Sequence, residues 1–218
     1  MFQDEIITLF FMKTILFTLF SISTLLLYSQ KIEEKIIYNN TLKSIVIEGD
    51  AIFKINVRTT TTSSIILISK IEGENAENTT IITEIKNDSL LITSAYQPFF
   101  KKANDKLSAH KVLSIEVSLE IPEHLYVYFK SEIASADVTG KYKQLILELN
   151  QGNANLDHFD GNAIINTING NIHLETNYAT INATTKTGKL NTEEITKAKN
   201  EILIHSINGN INIFKTKN

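Results

Sequence analysis

Thr167-Ile-Asn-Gly-Asn-Ile172 returns almost unchanged as Ser206-Ile-Asn-Gly-Asn-Ile211. With the glycine of each copy as an anchor, Gly152 and Gly188 fall into the same frame. Gly152, Gly170 and Gly188 are 18 residues apart, Gly209 follows after 21, and 18 back from Gly152 stands Ala134, a degenerate first copy. A fixed period near 20 residues marks a stacked repeat architecture.

Two residues after the anchor stand Ala136, Ala154, Ile172, Leu190 and Ile211. Four after stand Val138, Leu156, Leu174, Thr192 and Ile213, apolar with one exception. The fifth and seventh residues before it are apolar in every copy, from Phe129 and Val127 to Ile204 and Ile202. The fourth before is always polar: Lys130, Glu148, Asn166, Thr184, His205. Apolar residues at spacing two predict half-buried strands on either side of a glycine turn. One copy cannot bury its apolar row alone, so the copies stack. The expected fold is all-β: a β-solenoid of about five coils, each of 18–21 residues, behind a β-rich amino-terminal portion. Asn169-Gly170 and Asn208-Gly209 are also the strongest two-residue hairpin signal, which keeps open an antiparallel hairpin sandwich or prism.

The turn residues Gly152, Gly170, Gly188, Gly209, Asn169 and Asn208 are read as structural. Glycine is expected to supply a positive φ. The amides, including Asn153, Asn171 and Asn210, are expected to ladder from copy to copy.

Composition narrows the function. Cysteine is absent, which removes disulfides, thiol catalysis and thiolate metal sites together. The net charge of −3, with Arg58 as the single arginine, gives no pull toward nucleic acid. Met12-Lys13, the apolar run Thr14 to Tyr28 and Ser29-Gln30 have the parts of a secretory signal over residues 1–29, with Met12 as the true start. Uncleaved, Ile6 to Tyr28 is long enough for a membrane anchor, the only membrane contact expected. Either reading exports the rest to the periplasm or the cell surface.

Residues 30–111 read as strands and polar turns that cap or flank the stack, with a hairpin at Gly49-Asp50 and turns at Glu72-Gly-Glu-Asn75 and Asn87-Asp88. Tyr96 to Lys111, with Pro98, Phe99 and Phe100, is the longest non-periodic stretch, either a binding loop or a crossover plugging the core. The repeat region occupies 112–218.

No catalytic, metal or cofactor residue emerges. His110, His124, His158, His173 and His205 lack ligand spacing, and Asp157, His158 and Asp160 read as an acidic turn. Asp137, Glu148, Asp157, Asp160, Glu175, Glu193 and Glu194 read as scattered acids that build no site in register, against a glycan-cleaving enzyme. The Asn-x-Ser/Thr triplets at Asn39, Asn78, Asn87 and Asn182 carry little weight in so Asn- and Thr-rich a chain.

Ile121-Pro-Glu, a strand, and then recurrent glycine turns ending in Ser206-Ile-Asn-Gly-Asn-Ile-Asn-Ile213 resemble the bacterial putative-adhesin family with a β-solenoid domain, related to head domains named for a Gly-Ile-Asn signature. The likeness covers about Val112 to Phe214. It implies an exported, repetitive all-β domain without established catalysis. The expected function is a non-enzymatic envelope or surface module, adhesin-like, with an unknown protein or glycan partner. A structural or regulatory periplasmic domain is the alternative.

Overall fold

The structure, a computed structural model, describes residues 12–18, 30–38, 41–49, 51–73, 75–98, 100 and 113–217. Most of the signal-like segment and of the Tyr96 to Lys111 stretch lies outside them. Among the described residues no helix is long and apolar enough to cross a membrane.

The described residues are all-β apart from helical residues 12–18 and a 3-10 turn at Ala76–Asn78. Before the repeats come β1 (Gln30–Tyr38), β2 (Ser44–Glu48), β3 (Ile52–Thr60), β4 (Ser64–Gly73), β5 (Thr79–Lys86), β6 (Ser89–Tyr96) and β7 (Leu113–Pro122). The repeats supply β8 (Tyr126–Ser131), β9 (Ser135–Leu149), β10 (Ala154–Thr167), β11 (Ile172–Glu175), β12 (Tyr178–Thr185), β13 (Leu190–Thr192), β14 (Thr196–Ser206) and β15 (Ile211–Phe214). All belong to one large mixed sheet, open rather than closed.

Each copy sends the strand before its anchor into one row and the strand after it into another. The first row runs β8, the second half of β9, the second half of β10, β14, β12, all parallel. The second row runs through the first halves of β9 and β10 to β11, β15 and β13, again parallel. β9 and β10 pass through both rows, and their register shifts beside Asp157 and Asp160. Inward residues of both rows, such as Leu147, Ile165 and Ile204 against Ala154, Leu174 and Ile213, meet in one buried cluster. The strands flanking Gly170 pair only in parallel, through the first half of β10, and those flanking Gly209 do not pair with each other, so the antiparallel hairpin reading of those turns fails.

The order of the copies departs from chain order. Ile172 pairs with Ala154 on one side and Ile211 on the other, and Ile211 pairs in turn with Leu190. The last copy is therefore inserted between the third and fourth, and the order in space is Ala134, Gly152, Gly170, Gly209, Gly188. The coils therefore do not advance one rung per repeat in chain order. The fourth copy becomes an open end, which accounts for its weak pattern: Leu190 is 47% exposed and Thr192 is exposed too. A polar residue there costs little, because among the described residues no strand pairs beyond it.

The amino-terminal half joins the same ladder. β2 pairs in parallel with β6 and β8, and β3 with β7 and β9. β2 and β3 thus lie in different rows and do not pair with each other, so the hairpin expected between them does not form, and β2–β3 make a rung inserted between β6–β7 and β8–β9. The frame missed this rung because its turn carries Gly49 without the Asn-Gly-Asn flanks. Antiparallel pairing is confined to β1–β4–β7 and the β5–β6 hairpin, whose turn residues Asn87 and Asp88 take φ of 47° and 62°. Two successive left-handed residues suit a type I′ turn.

At the corner opposite the anchors, Tyr142 is buried, stacks on Phe159 with ring centroids 5.5 Å apart, and donates to the Val57 carbonyl at 3.0 Å. Burial pushes its phenol far above the ordinary tyrosine range. The unfolded chain releases this proton near pH ~10 while the folded chain holds it. Stability from this group is therefore full below that pH and is lost as pH rises above it. Tyr142→Phe should lower stability near neutrality by about 1 kcal/mol and flatten the alkaline fall, read by urea unfolding across pH.

Candidate functional site

The outer surfaces of the two rows differ in chemistry. On the second row most outward charges are paired. Lys54 bridges Asp137 at 3.3 Å, Asn155 donates to Asp137 at 2.7 Å, Asn56 donates to Glu116 at 2.9 Å, and Arg58 pairs with Glu120. This is a polar, largely neutralised face.

The first row carries an outward apolar stripe. Leu91, Val46, Tyr128, Ile146, Ile164 and Leu203 are successive cross-strand neighbours on β6, β2, β8, β9, β10 and β14. At about 4.8 Å per strand, five steps make it roughly 24 Å long. None is buried, and Leu203 is 47% exposed. Polar rows flank it, with Glu48, Lys130, Glu148, Asn166 and His205 on the side of the anchor turns. Four of these, Lys130, Glu148, Asn166 and His205, line a groove of about 340 Å³ whose far wall includes Ile168 and Ile207. Tyr128 joins stripe to groove, its hydroxyl donating to Glu148 at 3.1 Å. Burial, then Glu148, holds that phenol above its ordinary range, so it stays a neutral donor.

In the repeat frame the stripe is the sixth residue before each anchor: Tyr128, Ile146, Ile164, Asn182 and Leu203. Only the end copy breaks it. Spacing-two logic assigns such positions to solvent and expects them polar, which is why the stripe went unread; its signal was an apolar run, Leu145-Ile-Leu147 or Ala163-Ile-Ile165, where alternation should have stood.

The anchor residues line up as a column. A Cβ on Gly170 would lie 1.6 Å from the Gly152 carbonyl oxygen, one on Gly209 1.8 Å from that of Gly170, and one on Gly188 2.0 Å from that of Gly209. Close approach between rungs therefore demands these glycines. Positive φ, the expected reason, holds at Gly152 (109°) but not at the other three. The asparagines do ladder, side chain to main chain: Asn153 Oδ1 accepts from the Asn171 amide and Asn171 Oδ1 from that of Asn210, each at 2.9 Å. Asn208 donates to Asn169 at 2.8 Å. These contacts follow the inserted order.

The histidines scatter. His205 faces the groove and contacts Thr184 Oγ1 through Nδ1 at 2.9 Å, His124 and His158 take positive φ, and His110 lies outside the described residues. The acids are not all scattered. Asp157, Glu175 and Glu193 all stand five residues after an anchor, so they do repeat in register. The inserted copy places Phe214 between Glu175 and Glu193, leaving Asp157 and Glu175 side by side with His173.

Rows of mainly parallel strands stacked about one apolar core define the class of protein. No family model matches the chain, and no curated protein does. Among solved structures it is similar to a putative cell adhesion protein from Clostridium sporogenes, with a TM-score of 0.59 at 19% identity over 86% of this chain and 100% of that one. A putative adhesin from Bacteroides fragilis gives 0.41 at 13% identity over 84% and 97%. One from Parabacteroides distasonis gives 0.37 at 14% over 83% and 97%. The first likeness is one of fold.

Proposed function

We propose that the chain is an exported, non-enzymatic envelope or surface module of β-solenoid type, with two rungs inserted out of order, that binds a partner protein through the apolar stripe. The observation that carries this reading is the unbroken row from Leu91 to Leu203, set between polar rows. A solvated face gains nothing from six successive apolar side chains, whereas a partner surface does. The adjoining groove adds the polar rim that fixes register. Support for export is the charged, apolar and small-residue order of Met12 to Gln30. The fold shared with a protein described as a putative cell adhesion protein agrees with a surface role.

The purified protein should bind intact cells or envelope fragments of its own source. Replacing Ile164 and Leu203 together by Glu should weaken that binding about tenfold or more, because charge is placed in the desolvated centre. Both side chains point outward, so unfolding should shift by about 1 kcal/mol or less. Equal binding by the two proteins would remove the stripe from the reading. Protease shaving of intact cells, with the mass of the mature amino terminus, tests export separately.

A further inference from the structure

The side chains of Asp157, His173 and Glu175 converge on the outer face of the second row, away from the stripe and independent of its role. We propose that they form a binding site for a borderline divalent cation of the Zn²⁺ type. His173 Nε2 lies 3.5 Å from Glu175 Oε1, and the three ligand atoms all lie within 4.8 Å of one another. Two ligands on a tetrahedral ion with bonds of about 2.0–2.1 Å are about 3.3–3.4 Å apart, so the His173–Glu175 pair already has the required separation. Asp157 is exposed, with its carboxylate within 4.8 Å of the other two ligand atoms.

The backbone holds these groups in place. β10 and β11 pair in parallel with Asn155 opposite His173 and Leu156 opposite Leu174, which brings the next residues, Asp157 and Glu175, side by side. The inward residues Leu156, Ile172 and Leu174 are fully buried, so the two strands are fixed from beneath. The register shift after Asp157, with His158 at φ 50°, turns the chain at the ligand position. Bulges of this kind re-aim side chains at sites. Phe214 packs its ring 5.5 Å from His173 and closes one side.

Charge points the same way. Asp137, Glu116 and Glu120 on this face each have a lysine, an arginine or an amide partner. Among the described residues no lysine or arginine lies within 4.0 Å of the Asp157 or Glu175 carboxylate, and His173 is the sole ion-pair partner of Glu175. Two carboxylates brought together beside an imidazole, without a basic residue, suit a cation. One nitrogen with two oxygens suits zinc-like ions rather than Ca²⁺, which prefers six or more oxygens.

The test is calorimetric titration of the full chain with ZnCl₂ in non-chelating buffer near neutral pH, with CaCl₂ alongside, and thermal unfolding with and without the ion. The expected result is one equivalent of Zn²⁺ that raises Tm, with Ca²⁺ binding weaker. His173→Ala and Asp157→Asn should each weaken Zn²⁺ about tenfold or more and abolish the Tm shift while leaving the metal-free Tm unchanged. Equal Zn²⁺ binding by wild type and His173→Ala would mean an adventitious ion only, on another histidine, and would overturn the site. So would no binding to the wild type, or binding of Ca²⁺ that ignores His173→Ala.

Discussion

Gly170→Ala should destabilise the protein by about 3 kcal/mol, a large loss for the addition of one methyl group. The new Cβ would stand 1.6 Å from the Gly152 carbonyl oxygen and 2.6 Å from its carbon. These are backbone atoms of the neighbouring rung, so no side chain can rotate away. Relief requires the rungs to part at this corner, which strains the backbone bonds across it, from the Ile168 amide to the Leu149 carbonyl at 3.0 Å and from the Asn169 amide to the Asn150 carbonyl at 2.9 Å. It also pulls on the Asn153–Asn171 bond next to it. Gly49→Ala is the matched control. There a Cβ would meet the tip of Ile52 at 2.8 Å and Ser94 Oγ at 2.9 Å, both side-chain atoms that can move. Its cost should stay near 1 kcal/mol. Urea unfolding of the two variants beside wild type gives the comparison, and similar costs would refute the inter-rung contact as the reason for the glycine column.

The contrast shows which parts of this fold were legible. The inner rows were read correctly because burial on both sides of a turn leaves period-two apolar residues, as at Leu145, Leu147, Ala154 and Leu156. The Asn ladder was legible because identical amides recur at Asn153, Asn171 and Asn210. The reason for the glycines was not: the clash at Gly170 is with a carbonyl from another rung, a neighbour no local rule names. The stripe and the Asp157–His173–Glu175 cluster escaped for a related reason. Both are cross-strand groups on outward faces, where alternation predicts only that residues are solvated. Phe214, at the same frame position as Glu175, shows that outward rows are not uniform and that their makeup depends on which rung lies next. Rung order itself had only oblique signals, the exposed pattern of the fourth copy and the 21-residue last step.

Because the last copy lies between the third and fourth, removing it should do more than shorten the stack. A chain ending at Ile195 loses β14 and β15. Among the described residues β12 pairs only with β14 and β13 only with β15, so the fourth copy would lose each of these strand partners. In a stack ordered along the chain, the same truncation would take one rung and leave the fourth copy seated on the third. The inserted order predicts that two rungs melt together, with residues 178–192 open to protease and amide exchange. Cysteine pairs test the order without deleting anything, and the chain has no cysteine to interfere. Thr167 and Ser206 are opposite each other on adjacent strands, with their hydroxyls 3.0 Å apart. Thr167→Cys with Ser206→Cys should oxidise readily, since in-register neighbours have Cα atoms within disulfide range, about 4.4–6.8 Å. Thr167→Cys with Thr185→Cys joins the same position in sequence-adjacent copies, yet Thr185 pairs with Ser206, one strand further on. That pair should stay reduced in the folded protein. Loss of the mass of two hydrogen atoms in the second pair and none in the first would reverse the order of the last two rungs.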